Sequence, residues 1–103
     1  MELSILLFQE ESCWVAQCLE YDIAAQGKKI DDALYEFQRL FFGHIAIRKE
    51  LQIAPLEEEL PPAPEMYRRR YGQAARLEKT PPRIQSSPYF SVDIAREEYR
   101  VDA

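Results

Sequence analysis

The chain has 103 residues, room for one domain, with a net charge of −5, 47% hydrophobic residues and 30% charged residues. This composition is typical of a globular protein and does not indicate disorder. Residues 1–60 carry 12 acidic and 5 basic side chains, whereas residues 61–103 carry 6 acidic and 8 basic ones. Because an acidic body repels a phosphate backbone, the charge disfavours broad nucleic-acid binding.

Hydropathy and cysteine usage indicate the compartment. No apolar run approaches the roughly 20 residues that a membrane-spanning helix needs, and the N-terminus lacks the basic and apolar regions of a secretory signal. Cys13 and Cys18 lie five residues apart on a predicted strand, so their side chains point to opposite faces. We therefore expect a cytoplasmic protein with two free thiols, no membrane association, no metal site and no cofactor.

The first 27 residues predict three short strands. Residues 2–8 and 13–19 are apolar segments joined by the polar residues 9–12, which is typical of an antiparallel hairpin. Residues 23–26 form a third predicted strand, which Gly27 ends. In the second strand, alternation places one set of side chains (Trp14, Ala16, Cys18) on one face and the other set (Cys13, Val15, Gln17, Leu19) on the opposite face.

A long amphipathic helix is predicted from Ile30 to about Leu51. Its apolar residues recur with a period near 3.6, at positions 30, 33, 34, 37, 40, 41, 45 and 51. Asp31 and Asp32 fall in the first turn, where the helix dipole favours carboxylates. We expect the sheet-facing side of this helix to bury the side chains of Phe37, Leu40 and Phe41.

The C-terminal part has a different composition. Residues 56–64 form an acidic, proline-rich connector, which predicts extended backbone. Residues 65–78 then predict a helix with a narrow apolar stripe, and residues 89–95 alternate as a final strand. We divide the chain into a core of residues 1–54 and an appended linker, helix and strand of residues 55–103, packed on the core or on another subunit of a single-domain protein.

The segment from Trp14 to Leu34 resembles the HicB-like antitoxin superfamily. The resemblance rests on Trp-Val-Ala-Gln-Cys-Leu-Glu-Tyr at 14–21, Gln-Gly-Lys at 26–28 and Asp-Asp-Ala-Leu at 31–34, and it extends over about residues 2–51. It implies an α+β fold similar to a truncated double-stranded-RNA-binding domain. In that fold a three-stranded antiparallel sheet carries one long helix across a face.

The chain departs from that family at three points. The family's turn normally contains proline and a second cysteine, whereas residues 18–23 contain neither, and Lys29 stands where the family has a threonine helix cap. Complete antitoxins also carry a C-terminal DNA-binding domain, and residues 61–103 do not match a helix-turn-helix or a ribbon-helix-helix. The resemblance therefore implies a stand-alone or degenerate antitoxin that sequesters a partner, in this family a small ribonuclease toxin.

One basic and aromatic cluster is a candidate contact site. It comprises five consecutive residues: Tyr67, Arg68, Arg69, Arg70 and Tyr71. Three consecutive arginines on a helix spread over about 200° of arc and cannot all enter one groove. They could form salt bridges at the surface or between subunits, which we favour, or bind nucleic acid as a regulator would, or bind a small anion.

No residue set predicts catalysis. His44 is the only histidine, and no nucleophile lies at a telling spacing from it, so we expect a structural or surface role. Apolar residues on both faces of the first two strands would leave one face uncovered by a single helix, which predicts a homodimer or a larger homo-oligomer. The resulting hypothesis is a non-enzymatic interaction protein, with a nucleic-acid-binding regulator as the alternative.

Overall fold

The computed structural model describes residues 2–52, 60–77 and 91–97. The elements, in chain order, are β1 (Glu2–Glu10), β2 (Cys13–Cys18), β3 (Ala24–Gly27), α1 (Ile30–Leu51), α2 (Glu65–Gln73), β4 (Ala75–Arg76) and β5 (Ser91–Arg96). The long helix begins and ends where its periodicity predicts. The predicted C-terminal helix ends five residues early, and the first two residues of the predicted last strand, Tyr89 and Phe90, lie outside the described residues.

The strands form one mixed sheet in the order β3-β2-β1-β5-β4. β1, β2 and β3 pair antiparallel, which confirms the hairpin and the third strand. β5 adds to β1 in parallel, and the two-residue strand β4 pairs antiparallel with β5. The α+β class is confirmed, but a three-stranded sheet was too small, because the C-terminal strand joins the same sheet instead of lying apart.

The strand register gives the sheet two apolar faces. Toward α1 point alternate residues of the hairpin (Leu3, Ile5, Leu7, Trp14, Ala16, Cys18), which belong to the main core cluster. Toward α2 point Leu6, Phe8 and Val15, which form a second cluster. This division confirms the alternation predicted for β2, since Trp14, Ala16 and Cys18 share one face and Val15 lies on the other.

Helix α1 covers β2 and β3 on the first face. Its buried residues are Ala33, Leu34, Phe37 and Phe41, and the rings of Phe37 and Phe41 stack with centroids 5.9 Å apart. The expected burial of Leu40 was wrong, because this side chain is 44% exposed. The buried side of α1 is centred between Phe37 and Phe41, so Leu40 falls on the flank of the helix instead of beneath it.

Helix α2 covers the second face within the same chain. Tyr67, Tyr71 and Ala74 pack against the Leu6, Phe8 and Val15 cluster. The rings of Phe8 and Tyr67 stack with centroids 5.7 Å apart. Because these side chains cover the second face, that face does not require a second copy of the chain to bury it. Oligomerisation itself stays a prediction.

Two glycines provide a matched test of the packing between α1 and β3. A Cβ atom on Gly27 would lie 2.6 Å from the backbone nitrogen of Ala33 and from Cβ of Asp32, whereas one on Gly43 would meet nothing within 4 Å. We expect Gly27→Ala to lower the free energy of unfolding by roughly 1–3 kcal/mol through overpacking. Gly43→Ala should raise it by about 0.5–1 kcal/mol, because alanine favours the helix interior.

Urea unfolding followed by circular dichroism measures both effects. A Gly27→Ala variant as stable as the wild type would contradict the close approach of α1 to β3.

Candidate functional site

Arg70, from the predicted contact cluster, points inward and connects three elements. Its Nε and Nη2 atoms donate to the two carboxylate oxygens of Glu97 at 2.7 and 2.8 Å. Its guanidinium carbon lies 4.3 Å from the centroid of the Phe8 ring, a cation–π distance. The hydrogen bonds that Arg70 donates to Glu97 raise the pKa of Arg70. Arg70 therefore fixes α2 to β1 and to the end of β5.

The two tyrosines of the cluster also serve the packing of α2. Tyr67 lies on Phe8, and Tyr71 packs over the same cluster with its hydroxyl oxygen buried. Burial raises the pKa of Tyr71, and the charge of the nearby Arg76 opposes that shift. The guanidinium carbon of Arg76 lies 5.1 Å from the centroid of the Tyr71 ring. Tyr67, Arg70 and Tyr71 are thus half-buried parts of the fold.

Only Arg68 and Arg69 of the cluster lie fully on the solvent side of α2. The structure separates them from Arg70, which faces the sheet. Contact of this surface with a partner or with nucleic acid stays a prediction, and it now depends on two arginines instead of three. The nearby Arg76 lies 3.8 Å from Asp93, and both side chains are 65% exposed.

A second surface runs along α1 from the middle of the helix to its end and was missed from the sequence. Leu40, Ile47 and Leu51 are 44%, 55% and 63% exposed, and with Met66 they are the large apolar residues exposed among the described residues. Their spacing of seven and four residues places them on one side of the helix, with His44 half-buried between them. We call Leu40, Ile47 and Leu51 the α1 stripe.

The acidic turn of residues 20–22 has a structural role. Glu20 accepts the backbone N–H of Ser4 at 2.7 Å, and Asp22 accepts a hydrogen bond from Nε2 of the buried Gln17 at 3.0 Å. The backbone N–H of Asp22 donates to the carbonyl of Pro61 at 2.8 Å, which attaches the connector before α2 to this turn. These carboxylates are accounted for by hydrogen bonds within the fold.

An open cleft of about 300 Å³ lies along β4 and β5, lined by Arg76, Leu77, Val92, Asp93 and Ile94. Its two charged residues, Arg76 and Asp93, have opposite signs and form the exposed ion pair. Within residues 2–52, 60–77 and 91–97, no group of three or more His, Cys, Asp or Glu side chains is arranged to hold a metal ion. In the same segments no helix is long and apolar enough to cross a bilayer.

Comparison with known proteins gives no relative. No family model matches the chain, and no curated protein or solved structure matches it significantly. The two surfaces must therefore be interpreted from their own chemistry.

The inward position of Arg70 can be tested against its neighbour on the same helix. Arg70→Ala removes a bidentate ion pair and a cation–π contact, so we expect a loss of about 1–2 kcal/mol in the free energy of unfolding. Arg69→Ala removes an exposed arginine, and its effect should stay within about 0.5 kcal/mol. Chemical denaturation compares the two, and equal effects would contradict the role of Arg70.

The two thiols should differ in reactivity. Cys18 is fully buried, and burial, the largest cause, raises its pKa from 9.0 to about 11. Because the thiolate is the reactive form, only the half-buried Cys13 should react with a disulfide reagent at pH 8 in the native state, and both should react in denaturant. Two thiols reacting at one rate in the native protein would contradict the packing of Cys18.

Proposed function

We propose that this chain is a non-enzymatic protein-interaction module of the HicB-like type, which binds a basic partner protein through the α1 stripe. The observation that carries the proposal is the exposure of Leu40, Ile47 and Leu51 at 44%, 55% and 63% on one side of one helix. Clustered apolar side chains on a surface are typical of a protein contact, because leaving them in water is unfavourable.

The spacing of the stripe suits a groove on the partner. Helices that dock into apolar grooves present anchors at intervals of about three, four and seven residues, and Leu40, Ile47 and Leu51 follow this pattern. The buried residues of α1 all lie between Ala33 and Phe41. The last ten residues of the helix therefore contribute less to the core and present more of their surface to a partner.

The charge of the whole N-terminal segment indicates the chemistry of the partner, and the helix positions directly beside the stripe carry Arg48, Lys49 and Glu50. Residues 2–52 carry nine acidic and five basic side chains. A negative body steers a positively charged protein toward it and disfavours acidic competitors. A small basic ribonuclease, the kind of partner that the family resemblance implies, has this chemistry.

The order of elements also supports a HicB-like module. The three antiparallel strands β1, β2 and β3, followed by α1 across one face, agree with the arrangement that the resemblance implies. The parallel strand β5 and the covering helix α2 are additions to that arrangement. A cytoplasmic location and a homo-oligomeric state remain parts of this proposal.

The alternative function, nucleic-acid binding through α2, has weaker support. Arg70 is engaged with Glu97, so only Arg68 and Arg69 of the triplet are fully exposed. Two arginines neutralise few phosphates, and affinity for nucleic acid depends on the number of phosphates neutralised.

Neighbouring residues of α1 allow a matched test of the proposal. The tagged chain is purified from its native host, the bound protein is identified by mass spectrometry, and the complex is rebuilt from purified components for calorimetry. Ile47→Glu places a carboxylate within the stripe and should weaken binding by about tenfold or more. Ala46→Glu adds the same charge at the adjacent exposed position and should change the affinity less than about twofold.

Three results would contradict the proposal. The first is equal affinity of the two variants, and the second is a chain that purifies with no partner. The third is binding of duplex DNA by the wild type, with an affinity that falls with salt by a log–log slope of about −0.9 per neutralised phosphate and that is lost on replacing Arg68 and Arg69 with alanine. That third result would establish the nucleic-acid alternative.

A further inference from the structure

Among the described strands, the four-residue strand β3 is an edge of the sheet that carries neither a charge nor a proline. It stands last in the order β3-β2-β1-β5-β4, and its sequence, Ala-Ala-Gln-Gly, contains no charge and no proline. Edge strands normally carry charges, prolines or bulges that prevent another strand from adding to them. The side chains of Ala24 and Gln26 are exposed, and no other strand within residues 2–52, 60–77 and 91–97 pairs with this edge.

The hydrogen-bond pattern shows which backbone groups face outward. The N–H of Cys18 donates to the carbonyl of Ile23 at 3.0 Å, and the β2–β3 register pairs Ala16 with Ala25. Hydrogen-bonded and non-hydrogen-bonded pairs alternate along an antiparallel ladder. The N–H and C=O groups of Ala24 and Gln26 therefore point away from β2, toward the open side of the sheet.

Opposite charges stand just outside the two ends of this strand. Asp22 precedes it and Lys28 follows it, and both side chains are exposed. Ala24 and Gln26 share one face of the sheet. Asp22 and Lys28 lie two residues before and two residues after this pair, just outside the strand. The described part of the connector, residues 60–64, bonds through its backbone to Leu19 and Asp22, which lie in the turn before β3.

We propose that β3 pairs antiparallel with β3 of a second copy of this chain, around a two-fold axis at Ala25. In this register Ala24 lies opposite Gln26 of the second copy, and their outward backbone groups form the new hydrogen bonds. The side chain of Asp22 lies opposite that of Lys28 of the second copy, while the backbone N–H of Asp22 keeps its hydrogen bond to Pro61. The same side-chain contact recurs on the other side of the axis. The small Ala25 side chains meet at the axis, and the two sheets become continuous.

The charges of Asp22 and Lys28 favour a second copy of this chain over another protein as the strand that pairs with this edge. An antiparallel pair of identical strands places each Asp22 against a Lys28, which is favourable, whereas a parallel pair would place like charges together. The edge is therefore complementary to itself, as the interface of a two-fold dimer must be. This interface is separate from the α1 stripe and does not depend on the function proposed for it.

The register can be tested by measuring amide hydrogen exchange at several protein concentrations. In a monomer the amides of Ala24 and Gln26 face solvent and should exchange rapidly. At concentrations where light scattering returns twice the 12.1 kDa mass of one chain, both amides should become protected. The amide of Ala25, which faces β2, should be protected at every concentration.

Substitutions at the edge provide the matched controls. Gln26→Pro removes an outward N–H that the monomer does not use, so it should abolish the dimer, whereas Gln26→Ala should keep it. Lys28→Glu should raise the dimer dissociation constant about tenfold by opposing two carboxylates. Adding Asp22→Asn, which keeps an acceptor for Gln17, should restore much of the affinity. Lys49→Glu, at an exposed position near the end of α1, should leave the dimer dissociation constant of the wild type unchanged.

Three results would overturn the proposal. A mass of 12.1 kDa up to millimolar concentration shows that no second copy binds. A dimer that survives both Gln26→Pro and Lys28→Glu lies on another surface. Protection of Ala24 and Gln26 that appears only on adding a different protein assigns the edge to that protein. If Gln26→Pro fails to fold by circular dichroism, the Lys28→Glu and Asp22→Asn series decides alone.

Discussion

Strand β1 has no solvent face, and the rest of the structure depends on that. Leu6 and Leu7 are adjacent on the strand and point to opposite sides of the sheet, yet both are 0% exposed. A hairpin with one helix protects only one side. Leaving Leu6, Phe8 and Val15 in water would lower the free energy of unfolding by on the order of 5 kcal/mol. That is a large part of the total free energy of unfolding of a domain of this size. The chain must therefore return to cover the second side.

The two helices meet this requirement in different ways. α1 contributes four buried side chains to the core. α2 contributes none that is buried, and it is attached by half-buried aromatic rings, by the ion pair between Arg70 and Glu97 and by the connector at the acidic turn. Since these attachments lie near the surface, we expect α2 to open at a lower free energy than α1. The α1 stripe lies on the flank of α1 beside its buried side, and the outer edge of β3 is the side of that strand with which no described strand pairs.

Local patterns in the sequence predicted the elements that depend on local forces. The hairpin, the third strand, the full length of α1 and the opposite faces of Trp14 and Val15 follow from alternation and periodicity. The parallel pairing of β5 with β1 does not, because it joins residues about 90 positions apart and no local signal specifies that partner. β4, with two residues, is too short to produce a pattern.

The candidate surfaces were harder to predict than the fold, for a related reason. Periodicity gives the apolar side of a helix but not the width of the sheet beneath it, so Leu40 was assigned to the core although it lies on the flank. The sequence identified the arginine cluster but did not separate the inward Arg70 from the exposed Arg68 and Arg69. The inward position of Arg70 depends on Glu97, 27 residues later in the chain. The open edge at β3 follows only from knowing where every other strand pairs.

The central claim is that α2 covers the second face of the sheet in its own chain. Isotope-filtered NMR on a mixture of labelled and unlabelled protein tests this most directly, through the contact between the rings of Phe8 and Tyr67, 5.7 Å apart. We expect the cross-peak between these rings within labelled chains and none in the spectrum that selects contacts between chains. A Phe8–Tyr67 cross-peak in that second spectrum would show that α2 covers the sheet of another copy, which would contradict the account.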